Sequence, residues 1–111
     1  MNKENITEED IQKTLEKFKQ MAPVFSVLSD ENRQLIITEL GRCDKLNVTE
    51  ISDLVPLSRP AISHHLKNLR LAGIVDSKKQ GTENYYFLTI KSTIEDIKNL
   101  IDLIEKSCHL K

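Results

Sequence analysis

One stretch limits what this chain can become: Leu57-Ser58-Arg59-Pro60-Ala61-Ile62-Ser63-His64-His65-Leu66-Lys67-Asn68-Leu69-Arg70-Leu71-Ala72-Gly73. It carries the marks of a single helix fixed at both ends. Ser58 is a strong N-cap, since its hydroxyl accepts a bond from an amide the first turn leaves without a partner. Pro60 suits that first turn, where no intrahelical donor is missed. Gly73 stands where a left-handed residue ends a helix. Ile62, Leu66 and Leu69 recur at helical spacing and form one stripe to be buried. The opposite face holds Arg59, Ser63, His64, Lys67 and Arg70, which bring hydrogen-bond donors and no acid. Such a helix suits the major groove of duplex DNA, which admits a helix and offers acceptors on base edges and flanking phosphates.

Charge supports this only when read locally. The net charge of −1 over 111 residues argues against a strong nucleic-acid binder. Residues 1–57 carry 7 basic and 11 acidic side chains, a net of −4; residues 58–82 carry 5 basic and 1 acidic, a net of +4; residues 83–111 carry 4 and 5, a net of −1. Positive charge is gathered on the candidate reading helix and the segment after it, the footprint a DNA contact needs. With 39% hydrophobic residues and no apolar run of membrane length, the chain reads as one domain, 1–111, placed in the cytoplasm and away from membranes. Met1-Asn2-Lys3-Glu4-Asn5 lacks the apolar core of a signal peptide. The two cysteines are far apart in sequence and make no disulfide framework.

Upstream of the reading helix, Thr7-Glu8-Glu9-Asp10 looks like a cap with acids that suit a helix dipole. Ile11, Leu15, Phe18 and Ala22 follow the helical period, and Pro23 is expected to end this first helix, leaving Val24–Leu28 as a separate short apolar element. Ser29-Asp30 starts a helix over 31–40, whose Leu35, Ile36, Ile37 and Leu40 are expected to be mostly buried. Gly41 to Leu46 reads as a polar loop, with the helix extending to Cys43 as the alternative. Asn47-Val48-Thr49-Glu50 has capping-box spacing, and Val55-Pro56 ends a short helix just before Ser58. Two short helices so closely joined, the second donor-rich, make a helix-turn-helix over 47–73.

After Gly73 the period changes. Ile74–Lys79 runs extended, Gln80-Gly81-Thr82-Glu83 turns, and Asn84-Tyr85-Tyr86-Phe87-Leu88 returns with aromatics favoured in strands. This hairpin, 74–88, reads as a wing that carries Lys78, Lys79 and Gln80 towards a phosphate backbone, or as a plain structural hairpin. In the last helix Ile90, Ile94, Ile97, Ile101, Ile104 and Cys108 are separated by 4, 3, 4, 3 and 4 residues, the spacing of a helix seam. The fold class expected is mainly α with a small β-hairpin: five helices, two strands and a last helix in a winged helix-turn-helix. The first and last helices, 8–22 and 90–108, are expected to pack together and against their symmetry mates in a dimer. Ile11, Leu15, Phe18, Ile94, Ile97, Ile101, Ile104 and Cys108 form that interface. The stripe covering only its own core is the alternative.

Met21-Ala22 through Leu88 resembles the ArsR/SmtB family of bacterial winged-helix repressors. The most specific matches are Val48-Thr49-Glu50-Ile51, Leu57 through Arg70, Ala72-Gly73-Ile74-Val75, Gly81 and Tyr85-Tyr86-Phe87-Leu88. Ser63, His65, Leu66, Leu69, Gly73 and Val75 stand on characteristic positions of the family's block. The resemblance implies an operator-binding dimer that blocks transcription until an inducer releases it. Glu39-Leu40-Gly41-Arg42-Cys43-Asp44 is similar to the E-L-C-V-C-D box of the arsenic and cadmium sensors, with Gly41 in place of the first thiol. A soft-metal site needs several thiolates. The family's other metal site would begin at Thr89-Ile90-Lys91-Ser92, and only His109 remains near its far end. No metal site and no cofactor are therefore expected. Some members sense oxidants or reactive sulfur through an early and a late cysteine, which makes Cys43 and Cys108 candidate thiol sensors, or ordinary thiols; a thiol-, redox- or metal-responsive repressor using Cys43 or Cys108 is the alternative function.

The DNA-binding set expected is Ser58, Arg59, Pro60, Ser63, His64, His65, Lys67, Arg70, Lys78, Lys79 and Gln80. Arg59 is the best base reader, because its fork matches both acceptors of a guanine. His65 points roughly 100° away from His64; it contacts phosphate, or packs partly under the helix and bonds to backbone. The partners expected are a palindromic duplex operator, a second copy of the chain and an unidentified inducer. No phosphate-cradling glycine loop, nucleophile elbow or base–nucleophile pair points to an enzyme. A winged helix used for protein contacts, and the related MarR family, stay open.

Overall fold

The computed structural model describes residues 5–111; the polar leader over residues 1–4 lies outside the described residues. Five helices and one hairpin follow in the order α1 (Glu8–Leu28), α2 (Glu31–Arg42), α3 (Val48–Leu54), α4 (Arg59–Leu71), β1 (Val75–Gln80), β2 (Glu83–Leu88) and α5 (Lys91–Ser107). Four helices, not five, precede the hairpin. The first two expected elements are one, because α1 runs through Pro23. A mid-helix proline costs about 3 kcal/mol by deleting a bond and crowding the carbonyl four residues back. The turn beyond it puts Val24, Val27 and Leu28 against the core. At partial burial each contributes about 1 kcal/mol, enough to offset that cost.

Side chains fix the starts of α1 to α4, whereas α5 begins at Ile90 without a side-chain cap. Thr7 and Asp10 make a reciprocal capping box, as do Asn47 and Glu50, and Asp30 accepts from the Arg33 amide. These bonds to backbone N–H groups hold the Asp10 and Asp30 carboxyls below the ordinary carboxylate range. Helix α4 ends as the sequence requires. Gly73 has φ 79°, its N–H bonds to the Arg70 carbonyl, and the Ile74 N–H bonds to that of Leu69. That is a Schellman closure, which needs a residue free of Cβ crowding at its left-handed position.

The main core lies where α2, α3, α4 and the base of the wing meet: Ile36, Leu40, Ile51, Val55, Ile62, Leu66, Leu69, Ile74 and Val75. Leu35 departs from expectation and is exposed, since a helix lying on the core buries one stripe and the adjacent position turns outward. Leu46 departs in the other direction. It is buried and forms a two-bond bridge with Tyr86, tying the 43–46 loop to β2 as a short third strand segment. In the wing, Val75 pairs with Leu88 and Gln80 with Glu83, leaving Gly81-Thr82 as a two-residue turn. Gly81 has φ 62° at the position where a type II′ hairpin turn favours glycine.

Helices α1 and α5 pack against each other through a second, smaller seam. Met21 and Leu100 are buried there, and the Thr14 hydroxyl meets that of Ser107 at 2.8 Å. Lys17 reaches Asp96 at 2.9 Å with most of the lysine side chain covered. The buried residues of α5 are Thr93, Leu100 and Ser107, a stripe beside the isoleucine seam rather than the seam itself. The molecule is elongated, 57 × 25 × 21 Å.

Candidate nucleic-acid interface

The connection between α3 and α4 is tight because its polar groups are consumed locally. The Val55 N–H bonds to the Ile51 carbonyl, the Leu57 N–H bonds to that of Val55, and the Ser58 hydroxyl accepts from Ala61 at 3.3 Å. With Ile62, Leu66 and Leu69 fully buried beneath it, α4 has one orientation available. Ser58, Arg59, Pro60, Ser63, His64, Lys67 and Arg70 are all exposed on the outer side. Among the described residues neither Arg59 nor Lys67 forms an ion pair. Their donors are available to an incoming partner.

Three expected contacts are already engaged. Arg70 Nε lies 3.2 Å from Asp76 Oδ1, so its guanidinium is steered to the base of β1 and screened by a carboxylate. His64 Nε2 lies 3.3 Å from Asn68 Nδ2, one turn on. His65 is half-buried, and its Nδ1 accepts from Arg33 Nε at 3.2 Å. His65 therefore turns towards α2 and leaves the groove-facing set. Its partner is a side chain of α2, not backbone as one sequence reading had it, and nothing near His65 in sequence signals that pairing.

The wing residues divide between two faces. Alternation along β1 puts Lys78 and Gln80 on one face with their cross-strand partners Tyr85 and Glu83. Lys79 shares the other face with Tyr86, which borders the recess beside Ser63, Lys67 and Arg70 of α4. Lys79 thus belongs with the reading helix. Lys78 and Gln80 instead meet Lys45, whose Nζ donates to Gln80 Oε1 at 2.8 Å and lies 5.1 Å from the centre of the Tyr85 ring. Lys45 was missed because its loop carries no pattern; the Leu46–Tyr86 bridge alone brings it to the wing.

The dimer candidates occupy the far side of the α1–α5 pair. Ile11, Leu15, Phe18, Ile94 and Ile101 are exposed, Ile97 and Ile104 are half-buried, and Cys108 is exposed after the end of α5. Phe25, also exposed, continues the α1 row at heptad spacing.

A match to the family described as bacterial regulatory protein, arsR family, covers residues 30–77. An uncharacterised helix-turn-helix-type transcriptional regulator of Methanocaldococcus jannaschii is 34% identical over 88 residues, 79% of this chain and 98% of that protein. The cadmium resistance transcriptional regulatory protein CadC of Listeria innocua is 39% identical over 87 residues, 78% of this chain and 67% of that one. Among solved structures, an ArsR-like transcriptional regulator from Rhodococcus sp. RHA1 superposes with a TM-score of 0.75 at 33% identity, covering 83% of this chain and 84% of that one. The chain belongs to the arsR family.

As an arsR-family member it is a winged-helix DNA-binding transcriptional repressor and not an enzyme. The matched segment runs from the Asp30 cap to the first strand of the wing, so it contains the whole reading helix. Cys43 is half-buried against the core, Gly41 contributes no ligand, and among the described residues no three His, Cys, Asp or Glu side chains converge. No helix of the described residues is long and apolar enough to cross a membrane.

Proposed function

We infer that this arsR-family chain acts in the cytoplasm as a homodimer on a palindromic operator and that an inducer releases it. One observation carries the reading: α4 is buried on one side to the last atom and presents Ser58, Arg59, Ser63, His64 and Lys67 on the other without an opposing acid. Arg59 reads a base pair. Ser58 and Ser63 position the helix by phosphate or water contacts, and Lys67 and Lys79 clamp the backbone. Arg70 acts mainly by orienting the wing through Asp76.

The second copy is argued from the apolar rows on α1 and α5. They run side by side, stay largely exposed among the described residues, with Ile97 and Ile104 half-buried, and keep heptad spacing, which is the arrangement of an isologous helical interface. A two-fold pair brings two reading helices to successive major-groove faces about 34–36 Å apart.

Electrophoretic shift on the DNA upstream of the chain's own gene tests this reading, with a scrambled duplex as control. Retardation of the upstream fragment, at a concentration at least about 10³-fold below that needed for the scrambled duplex, is the expected result. Equal retardation of both would overturn it.

A further inference from the structure

A cavity of about 460 Å³ opens between the C-terminal end of α2, the 43–46 loop and the Lys78–Gln80 face of the wing. Its lining is divided by chemistry. Leu40, Phe87 and Leu88 supply an apolar wall, and Lys45, Lys78 and Tyr85 supply donors at the wing side. Among the described residues neither lysine is held by a carboxylate. Lys45 spends one donor on Gln80 and keeps two. Against an anion stand Asp44, also in the lining, and the carbonyl end of α2, worth roughly −0.5 charge. Within the lining the two lysines outweigh those together, since Glu83 of the same wing face lies outside it, and the wall favours an apolar body behind the charged head.

We propose that this cavity binds a small organic carboxylate with an apolar body, its carboxylate between Lys45 and Lys78, and that its occupation weakens DNA binding. The coupling is electrostatic and rests on the repressor reading above. An anion seated there cancels the positive charge of Lys45 and Lys78 on the wing face opposite Lys79, so the wing's longer-range attraction for DNA phosphates falls and the liganded and DNA-bound states oppose one another. Cys43 and Gly41 border the same space, which makes the site observable. A Cβ on Gly41 would make ordinary contact with Leu88 at 3.5 Å, so larger side chains there extend into the cavity.

The probe is octanoate, with octanol and octylammonium as comparators, added to the full chain carrying Cys108→Ser so that Cys43 is the only thiol. Octanoate is expected to slow iodoacetamide labelling of Cys43 and to bind by calorimetry at least about tenfold more tightly than either comparator, the usual margin for a charge-assisted bond. Gly41→Leu, with its thermal unfolding checked, is expected to lose that preference while binding DNA normally without ligand; Lys45→Ala, checked likewise, is expected to lose the preference and, having lost one wing charge, to bind the operator more weakly without ligand. Saturating octanoate is expected to weaken operator binding about tenfold in the parent and not in Gly41→Leu. Octanol or octylammonium matching octanoate would overturn the carboxylate site. So would unchanged binding in both variants. Binding with full Cys43 protection but no effect on DNA would overturn the coupling. A chain that binds octanoate yet never binds its operator would refute the repressor reading and leave the cavity result standing.

Discussion

Replacing Ile101 separates folding from assembly. Its side chain is 50% exposed on the outer row of α5, whereas its neighbour Leu100 is 4% exposed and faces α1. Fully burying an isoleucine contributes about 1.5–3 kcal/mol, so covering the exposed half contributes about 1 kcal/mol per subunit. In an isologous pair the residue occurs twice, and Ile101→Ala is expected to cost about 2 kcal/mol of association, roughly a thirtyfold weaker dimer. Ile101→Asp adds two carboxylates to an apolar contact and is expected to yield monomer at micromolar concentration. Sedimentation equilibrium reads the association constant, and circular dichroism at low concentration reads the fold. The monomer should keep its helical spectrum, because the seam inside the chain rests on the buried Leu100 while Ile101 leaves half its surface outside it. Leu100→Ala is the contrast: it opens a cavity between α1 and α5 and is expected to cost about 2–5 kcal/mol of folding stability. A dimer undisturbed by Ile101→Asp would refute the assignment of this row to the interface.

Other substitutions probe the reading helix and its supports. Arg59→Ala is expected to cost about 1–3 kcal/mol on the operator and to relax preference at one base pair in a binding-site selection; equal losses on operator and random duplex would contradict base reading. Gly73→Ala puts a Cβ on a residue at φ 79°, and chemical denaturation is expected to show a loss of about 1 kcal/mol or more. The Asp30 carboxyl is held below its ordinary value by backbone N–H bonds, chiefly that of Arg33. Its folded form thus binds a proton less readily than the unfolded chain. The stability it confers is complete above the ordinary aspartate value of 3.8 and is lost as pH falls through the lowered folded value. Asp30→Asn is expected to flatten this acid limb in thermal scans, and an unchanged limb would contradict it.

The elements legible in the sequence are those whose cause is local. Ser58 and Gly73 mark the ends of α4, Asn47 and Glu50 mark the start of α3, and the strand period with Gly81 marks the wing; each acts within a few residues. The outer row of α1 and α5 was legible as an apolar row because heptad spacing is a property of the sequence; the partner surface it meets belongs to the proposal above. What stayed hidden depends on contacts far apart in the chain. Pro23 reads as a stop until Val24, Val27 and Leu28 are seen on the core. Leu46 reads as loop until Tyr86 pairs with it. His65 reads as a possible phosphate contact until Arg33, 32 residues earlier, occupies its ring nitrogen. The division of Lys78 from Lys79 follows from strand alternation, and was open to sequence reasoning once the register was fixed.

Half-site spacing tests the two-fold repressor most directly. Fluorescence anisotropy should be measured on duplexes whose operator half-sites are one helical turn apart, 10–10.5 base pairs, and on others with about five base pairs inserted between them. The account predicts two chains per duplex at the first spacing and a large loss of affinity at the second, where the half-sites face opposite sides of the DNA. One chain per duplex, with equal affinity at both spacings, would contradict it.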